Sequence, residues 1–415
     1  MLRIYFNTLR LFNRNTWLLL LTAALTSFGY IGIYVVLFNL YLLRLNFGPE
    51  FIGSINAVAQ LGFALFSLPA GALGERWGSR RMTIWGLGIA AVVFGLLPLA
   101  EFLPATWRAG WLMATYLLAW LAGALYLVNA YPFFTASTEP AERGHAFSIR
   151  QALFPLGTFA GTLTGGLLPQ LLGPWLGVSP EHPAAYRYVL FVGTGALLVG
   201  MFALAATHQV NSEQSPERIG SDDSNPIGLI TFMAVITLLA TAGYNMARTF
   251  AGVYLNESFH MSTASIGTLL SVSYLMAVPV SLLMPAVIAR WGKTQTIKIG
   301  LLTLAFSLLP LVFIPSWMAA GASLIGMSLA FAFATPALML CQQEIVPPAW
   351  RPTISGAIVM AEGGGTALLA FGGGYLITVF GYHIFFLTGV MLTLMGAGLL
   401  WMYAWVPRWV LMRSI

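Results

Sequence analysis

The chain is poor in charge. Only 8% of its 415 residues are Asp, Glu, Lys or Arg, where a soluble domain carries roughly 25% to keep its surface in water. It has one cysteine, Cys341, which excludes an internal disulfide and any cysteine-based metal cluster. Its five histidines, His145, His182, His208, His260 and His383, are spread over loops and span ends, so neither a metal nor a cofactor is expected. A phosphate-cradling loop of the Gly-x-x-x-x-Gly-Lys-Ser/Thr type is missing too, which excludes ATP as an energy source within this chain. No enzyme, and no catalytic residue, is expected.

What fills the chain is apolar. Hydrophobic residues make up 58% of it and the mean hydropathy is +0.82, so most of the surface is expected to face lipid. A water-free bilayer core forces every backbone polar group to be paired internally, which leaves helices or a closed barrel. The apolar runs are long and unbroken, as from Trp17 to Leu43 and from Trp111 to Phe134, without the alternation of barrel strands. An all-α membrane protein follows, with twelve transmembrane helices near residues 17–43, 51–74, 82–103, 109–136, 147–173, 187–207, 227–255, 263–289, 296–314, 317–342, 353–379 and 382–406.

Orientation follows from the basic residues, which stay on the cytoplasmic side of short loops. Both termini inside puts fifteen of the 19 Lys and Arg there; Arg44, Arg108 and Arg187 lie outside and Arg248 lies within a span. The same asymmetry accounts for the net charge of +6 without nucleic acid as a partner. The expected location is the bacterial inner membrane, with lipids as neighbours and a monomer as the working unit.

The one strongly polar connection runs from Thr207 to Pro226 and contains Glu213, Glu217, Arg218, Asp222 and Asp223. It divides the chain into an N-terminal six-helix bundle (1–207), a linker (208–226) and a C-terminal six-helix bundle (227–415). The bundles repeat one plan. A shift of 214 lays Gly29-Tyr30 on Gly243-Tyr244, Ile52-Gly53 on Ile266-Gly267 and Arg76-Trp77-Gly78 on Arg290-Trp291-Gly292. A shift of 208 lays Arg143 on Arg351, Gly157 on Gly365 and Gly165-Gly166 on Gly373-Gly374. Two pseudo-symmetric bundles of this kind suit a secondary transporter.

The loop after span two reads Gly71-Ala72-Leu73-Gly74-Glu75-Arg76-Trp77-Gly78-Ser79-Arg80-Arg81. It resembles the signature of the major facilitator superfamily, in place between spans two and three and with a degenerate copy after span eight. The resemblance, which resembles bacterial efflux-type permeases most, implies that Gly71, Glu75, Arg76, Gly78, Arg80 and Arg81 form a conformational latch between halves. It also implies that spans one, four, seven and ten line the substrate cavity, making Tyr30, Tyr34, Asn39, Asn129, Tyr244, Asn245 and Arg248 candidate lining residues. In span five, Gly157, Gly161, Gly165 and Gly166 are similar to the antiporter motif of the family's drug exporters. Thr162 stands where that motif has proline, and span four lacks the Arg that drug–proton exchangers carry; small residues every four positions also serve close helix packing.

Ionisable groups within spans are costly to insert and are functional candidates. Glu362, immediately before Gly363-Gly364-Gly365, reads as a proton-coupling carboxylate or a counter-charge for a cation; a protonated structural Glu is the other reading. Arg248 reads as a cavity residue or as an anchor that snorkels to the interface. Sparse mid-span polarity with abundant aromatics suits a lipophilic or amphipathic substrate, drug-like or lipid, moved by alternating access and exported against protons. The alternatives are an importer of a small polar metabolite or organic anion, and a non-transporting receptor on the same fold.

Overall fold

The computed structural model describes residues 12–139, 143–208, 227–346 and 351–405, and every regular element among them is a helix. In chain order these are α1 (Arg14–Arg44), α2 (Pro49–Trp77), α3 (Ser79–Phe102), α4 (Ala105–Ser137), α5 (Arg143–Trp175) and α6 (Pro183–Ala205). The second set is α7 (Ile227–Phe259), α8 (Thr263–Trp291), α9 (Lys293–Phe313) and α10 (Trp317–Ile345), followed by Arg351–Trp405. Gly381, at φ 78°, breaks that last stretch into α11 (351–380) and α12 (382–405). The fold is therefore the expected all-α membrane architecture of twelve helices, and the helices outrun the expected spans by a few residues at most ends. The residues from 209 to 226 that were read as a linker lie outside the described residues.

Local chemistry sets the helix ends. Pro49 opens α2 at its first helical position, where a missing N–H costs nothing. The Asn13 side chain accepts from Thr16 N at 2.8 Å to cap α1, and Ser316 caps α10 through Met318 N. The middle of α1, Ser27–Val35, is π-helical; bonding to the fifth residue rather than the fourth widens the helix at this point.

Ten helical stretches among the described residues are long and apolar enough to cross a membrane by length and composition, and one of these, Gly356–Met402, holds both α11 and α12. Large side chains such as Leu65, Leu68, Trp85, Phe202, Leu368 and Val379 are exposed. In water, so much uncovered apolar surface would drive association; in lipid it is the solvated face. This is a multi-pass membrane protein.

Contacts among the described residues form two compact units: 12–48, 58–208 and 261–275 make unit 1, and 49–57, 227–260 and 276–405 make unit 2. Thus α2 begins in unit 2 and α8 begins in unit 1. Within unit 2 the core packs Ile230, Met233 and Ile236 of α7 against Ile297 and Leu301 of α9 and Leu338 of α10. The internal repeat reappears as matched contacts inside each unit. A Cβ on Gly29 would lie 2.8 Å from the Gly193 carbonyl oxygen, and one on Gly243 would lie 2.8 Å from that of Gly389. Gly267 meets Gly166 in unit 1 as Gly53 meets Gly374 in unit 2, with 2.5 Å and 3.1 Å from the imagined Cβ to the opposing Cα. Only residues without a side chain allow helices this close.

Candidate functional site

The signature loop joins α2 to α3. Gly78 has φ 89° and its repeat mate Gly292 has φ 75°, a region that penalises any residue with a Cβ. Glu75, Arg76 and Arg81 are exposed, while Arg80 turns back onto its own unit. Its Nη2 donates to the Thr207 carbonyl at 2.7 Å and the Ala205 carbonyl at 2.9 Å, and its Nε donates to Thr207 Oγ1 at 3.2 Å. Arg80 thereby caps the C-terminus of α6, satisfying carbonyls that the helix leaves open and placing positive charge at the negative end of its dipole. Asn15 fastens the same corner, since its side chain exchanges two hydrogen bonds with the backbone of His208.

Gly74 fixes the place of Asn129. A Cβ at Gly74 would lie 1.6 Å from Asn129 Oδ1, and Asn129 Nδ2 donates to the Ala70 and Leu125 carbonyls, each at 2.9 Å. The carboxamide is a clamp between α2 and α4. Tyr34 is likewise engaged: its hydroxyl lies 2.8 Å from the Leu190 carbonyl, 3.0 Å from that of Phe94 and 2.6 Å from Thr194 Oγ1. Asn39, farther along α1, is buried.

Tyr30 differs. It sits on the π-helical stretch of α1 with its ring edge-on to Trp120 of α4, centroids 5.4 Å apart, and to Phe94 of α3 at 5.1 Å. Phe63 of α2 meets Trp120 at 5.8 Å, and Tyr116 meets it at 6.0 Å. The Tyr30 hydroxyl and the Trp120 indole N–H are buried with no hydrogen-bond partner among the described residues.

In unit 2 the repeat mate Tyr244 stacks flat on Phe331 of α10, centroids 3.9 Å apart and planes 8° apart. Asn245 Nδ2 donates to Thr241 Oγ1 at 3.3 Å, and Thr241 donates to the Thr237 carbonyl at 2.9 Å. Gln342 of α10 reaches Thr237 Oγ1 at 2.6 Å, so a polar track climbs α7 in steps of four residues. Arg248, one turn above Tyr244, is exposed. Glu362 is half-buried on α11 and makes no ion pair among the described residues. Tyr30 and Tyr34 belong to unit 1, and Tyr244, Asn245, Arg248 and Glu362 to unit 2.

Several engaged groups lacked a sequence signal. Trp120 looked like one more aromatic in an apolar run, and only its missing acceptor marks it. Arg150 stands near the start of α5 with its guanidinium 3.8 Å from the Tyr131 ring centroid and 5.4 Å from that of Phe134, a cation–π arrangement. Glu101 pairs with Arg187, and Arg44 pairs with Glu181 at 3.1 Å while donating to the Tyr186 hydroxyl. These pairs tie α1, α3 and α6 at the end of unit 1 opposite Arg80.

Comparison with known proteins places this geometry. Two curated relatives are similar over most of the chain. Multidrug resistance protein MdtH of Cronobacter sakazakii is 24% identical over 311 residues, 71% of this chain and 69% of the relative. The MdtH protein of Photorhabdus laumondii subsp. laumondii is 27% identical over 318 residues, 68% and 70%. Among solved structures, the D-xylose–proton symporter superposes with a TM-score of 0.76 at 15% identity, covering 94% of this chain and 97% of that one. A bacterial homologue of the human lysosomal transporter Spinster, inward-facing and unoccupied, gives 0.76 at 14%, covering 94% and 96%, and the nucleoside transporter NupG gives 0.70 at 15%, covering 95% and 99%. Identities this low carry the fold alone. The family model of the Major Facilitator Superfamily matches residues 19–370 and again 233–411; with twelve helices, a duplicated plan and the signature loop in place, the chain belongs to the Major Facilitator Superfamily.

Proposed function

We infer that the protein is a secondary active transporter that moves a small lipophilic or amphipathic molecule, drug-like or lipid, across the inner membrane by alternating access. Export driven by protons is the working direction, with Glu362 as the coupling carboxylate and both termini in the cytoplasm. The observation that carries the substrate class is the interior of unit 1. Its mid-span polar side chains Tyr34 and Asn129 spend their hydrogen bonds on helix backbones, while Tyr30, Phe63, Phe94, Tyr116 and Trp120 form a continuous aromatic cluster with Phe63 at its partly buried edge. A sugar carrier needs many convergent donors and acceptors, because an unmatched buried hydroxyl is costly. Aromatic walls with few polar groups suit lipophilic ligands. Two relatives named for multidrug resistance point the same way.

The test is flux in inside-out membrane vesicles. An imposed pH difference should drive uptake of lipophilic dyes into vesicles carrying the protein. Accumulation of organic anions instead, lost in Arg248→Ala, would establish the importer reading; absence of any substrate-dependent flux would establish the receptor reading. Topology is checked in a Cys341→Ser background, where a cysteine at Ser212 should resist a membrane-impermeant maleimide added from outside.

A further inference from the structure

The repeat explains most close contacts of the two units, so the contacts that it does not explain stand out. Gly86 of α3 lies against Tyr126 of α4 as Gly300 of α9 lies against Ala334 of α10, which sets the register of α4 on α10 at 208 residues. In that register Gly123 matches Phe331 and Trp120 matches Ser328. Tyr244 therefore stacks on a ring where its mate Tyr30 sits over a glycine: a Cβ on Gly123 would lie 2.5 Å from the Tyr30 hydroxyl. Unit 2 shows that this fold packs its helices without the Tyr30–Trp120 pair. The pair is a property of unit 1 alone.

It is also an incomplete one. Tyr30 is 7% exposed and Trp120 8% exposed, yet neither the hydroxyl nor the indole N–H has a partner among the described residues. Three other buried tyrosines of the same unit are provided for: Tyr34 by Leu190 and Thr194, Tyr41 by the Pro98 carbonyl at 3.2 Å, and Tyr126 by Thr26 Oγ1 at 3.2 Å. A buried polar group without a partner costs about 1–3 kcal/mol, and an indole N–H can only donate. Two such donors in adjoining rings are a standing demand for an acceptor. The π-helical stretch under Tyr30 adds a second irregularity of a kind that gathers at functional sites.

We propose that Tyr30 and Trp120 are the donor pair of a binding subsite for uncharged, ring-bearing molecules that present an acceptor oxygen, such as an aryl ketone. Phe94 and Tyr116, each 1% exposed, back the pair, and Phe63, only partly buried, marks the edge at which the apolar body packs. The two unpartnered donors favour a neutral ligand with an acceptor oxygen over an organic cation that offers none. The inference deepens the lipophilic-substrate reading and rests on it.

The experiment is equilibrium binding to the full-length protein in nanodiscs, corrected for empty discs, with three probes of similar size. These are 2-acetylnaphthalene, its oxygen-free isostere 2-isopropenylnaphthalene, and the cation 1-methylquinolinium. The wild type should bind the ketone about tenfold more tightly than the alkene, the worth of one good hydrogen bond. Tyr30→Phe and Trp120→Phe should each cut the ratio of the two affinities by about threefold, and the double variant should bring it close to one, a readout that loss of folded protein scales out. The unliganded melting temperature of Tyr30→Phe should hold or rise, because an unpaired hydroxyl has been removed. A wild-type ratio near one, a ratio unmoved by Tyr30→Phe, preference for the quinolinium, or a lowered melting temperature in Tyr30→Phe would each overturn the proposal. Binding needs no gradient: an intact ratio with no vesicle flux would sink the transport reading alone, and flux indifferent to the carbonyl would sink the subsite alone.

Discussion

Arg80 donates to the Thr207 carbonyl across 2.7 Å, so a basic residue of the signature loop holds the end of α6 in its own unit. If Arg80 also serves the latch that the family signature implies, the two roles are separable. Arg80→Ala should lower the melting temperature by an amount corresponding to about 1–3 kcal/mol, the range for hydrogen bonds to a charged group. Arg80→Lys keeps the charge and loses the fork, so it should recover only part. Unchanged melting in Arg80→Ala with transport lost would show that the cap is energetically idle.

Gly78 and Gly292 make a matched prediction. Both hold positive φ with an extended ψ, 130° at Gly78 and 159° at Gly292, a region essentially restricted to glycine, and a Cβ there costs about 1–3 kcal/mol. Gly78→Ala and Gly292→Ala should destabilise by similar amounts, read as thermal shifts in detergent, because the strain is local to each turn. If only Gly78→Ala slows flux, the latch role belongs to the first copy of the loop.

The Gly74–Asn129 contact calls for a double-mutant cycle. Gly74→Ala alone drives a methyl into the Asn129 carboxamide, and Asn129→Ala alone leaves the Ala70 carbonyl without its second donor. The double variant should be more stable than the sum of the single losses predicts, with a coupling within the ~0.5–3 kcal/mol typical of touching residues. Strict additivity would mean that α2 and α4 do not meet through this pair.

Coupling is tested at Glu362. If it carries the proton, its two protonation states must favour different conformations, since a ligand equal in both shifts nothing. Glu362→Gln keeps the shape and removes the titration, so it should abolish accumulation under a pH difference while leaving probe binding and passive exchange intact. A gradient still built by the Gln variant would assign the coupling to another residue.

Much of the fold is legible in the sequence because membrane helices answer to one constraint, apolar length, and because duplication prints the same glycines twice. Gly29 and Gly243 could be matched by spacing alone, and each meets a glycine carbonyl in its unit. The candidate site was less legible. Tyr30 is marked in the sequence as a polar aromatic in span one, whereas nothing in the sequence distinguishes Trp120, whose N–H lacks an acceptor among the described residues. The capping role of Arg80 depends on where α6 ends, 125 residues away in the chain. Asn129 and Tyr34 carry the same polar labels as a lining residue would, and only their partners show them serving backbone.

The π-helical stretch of α1 has a consequence for chain length. Bonding to the fifth residue accommodates an extra residue that a regular helix has no room for. Deleting one residue between Ser27 and Val35 would therefore let α1 close into an ordinary α-helix with its two ends near their present facing, whereas the same deletion in the regular part of α1 would turn one end by about 100°. Thr22 and Thr26 would keep the Gly200 carbonyl and the Tyr126 hydroxyl that they now meet, and Tyr34 would keep its place. A one-residue deletion is absorbed in this stretch and is a rotation anywhere else in α1.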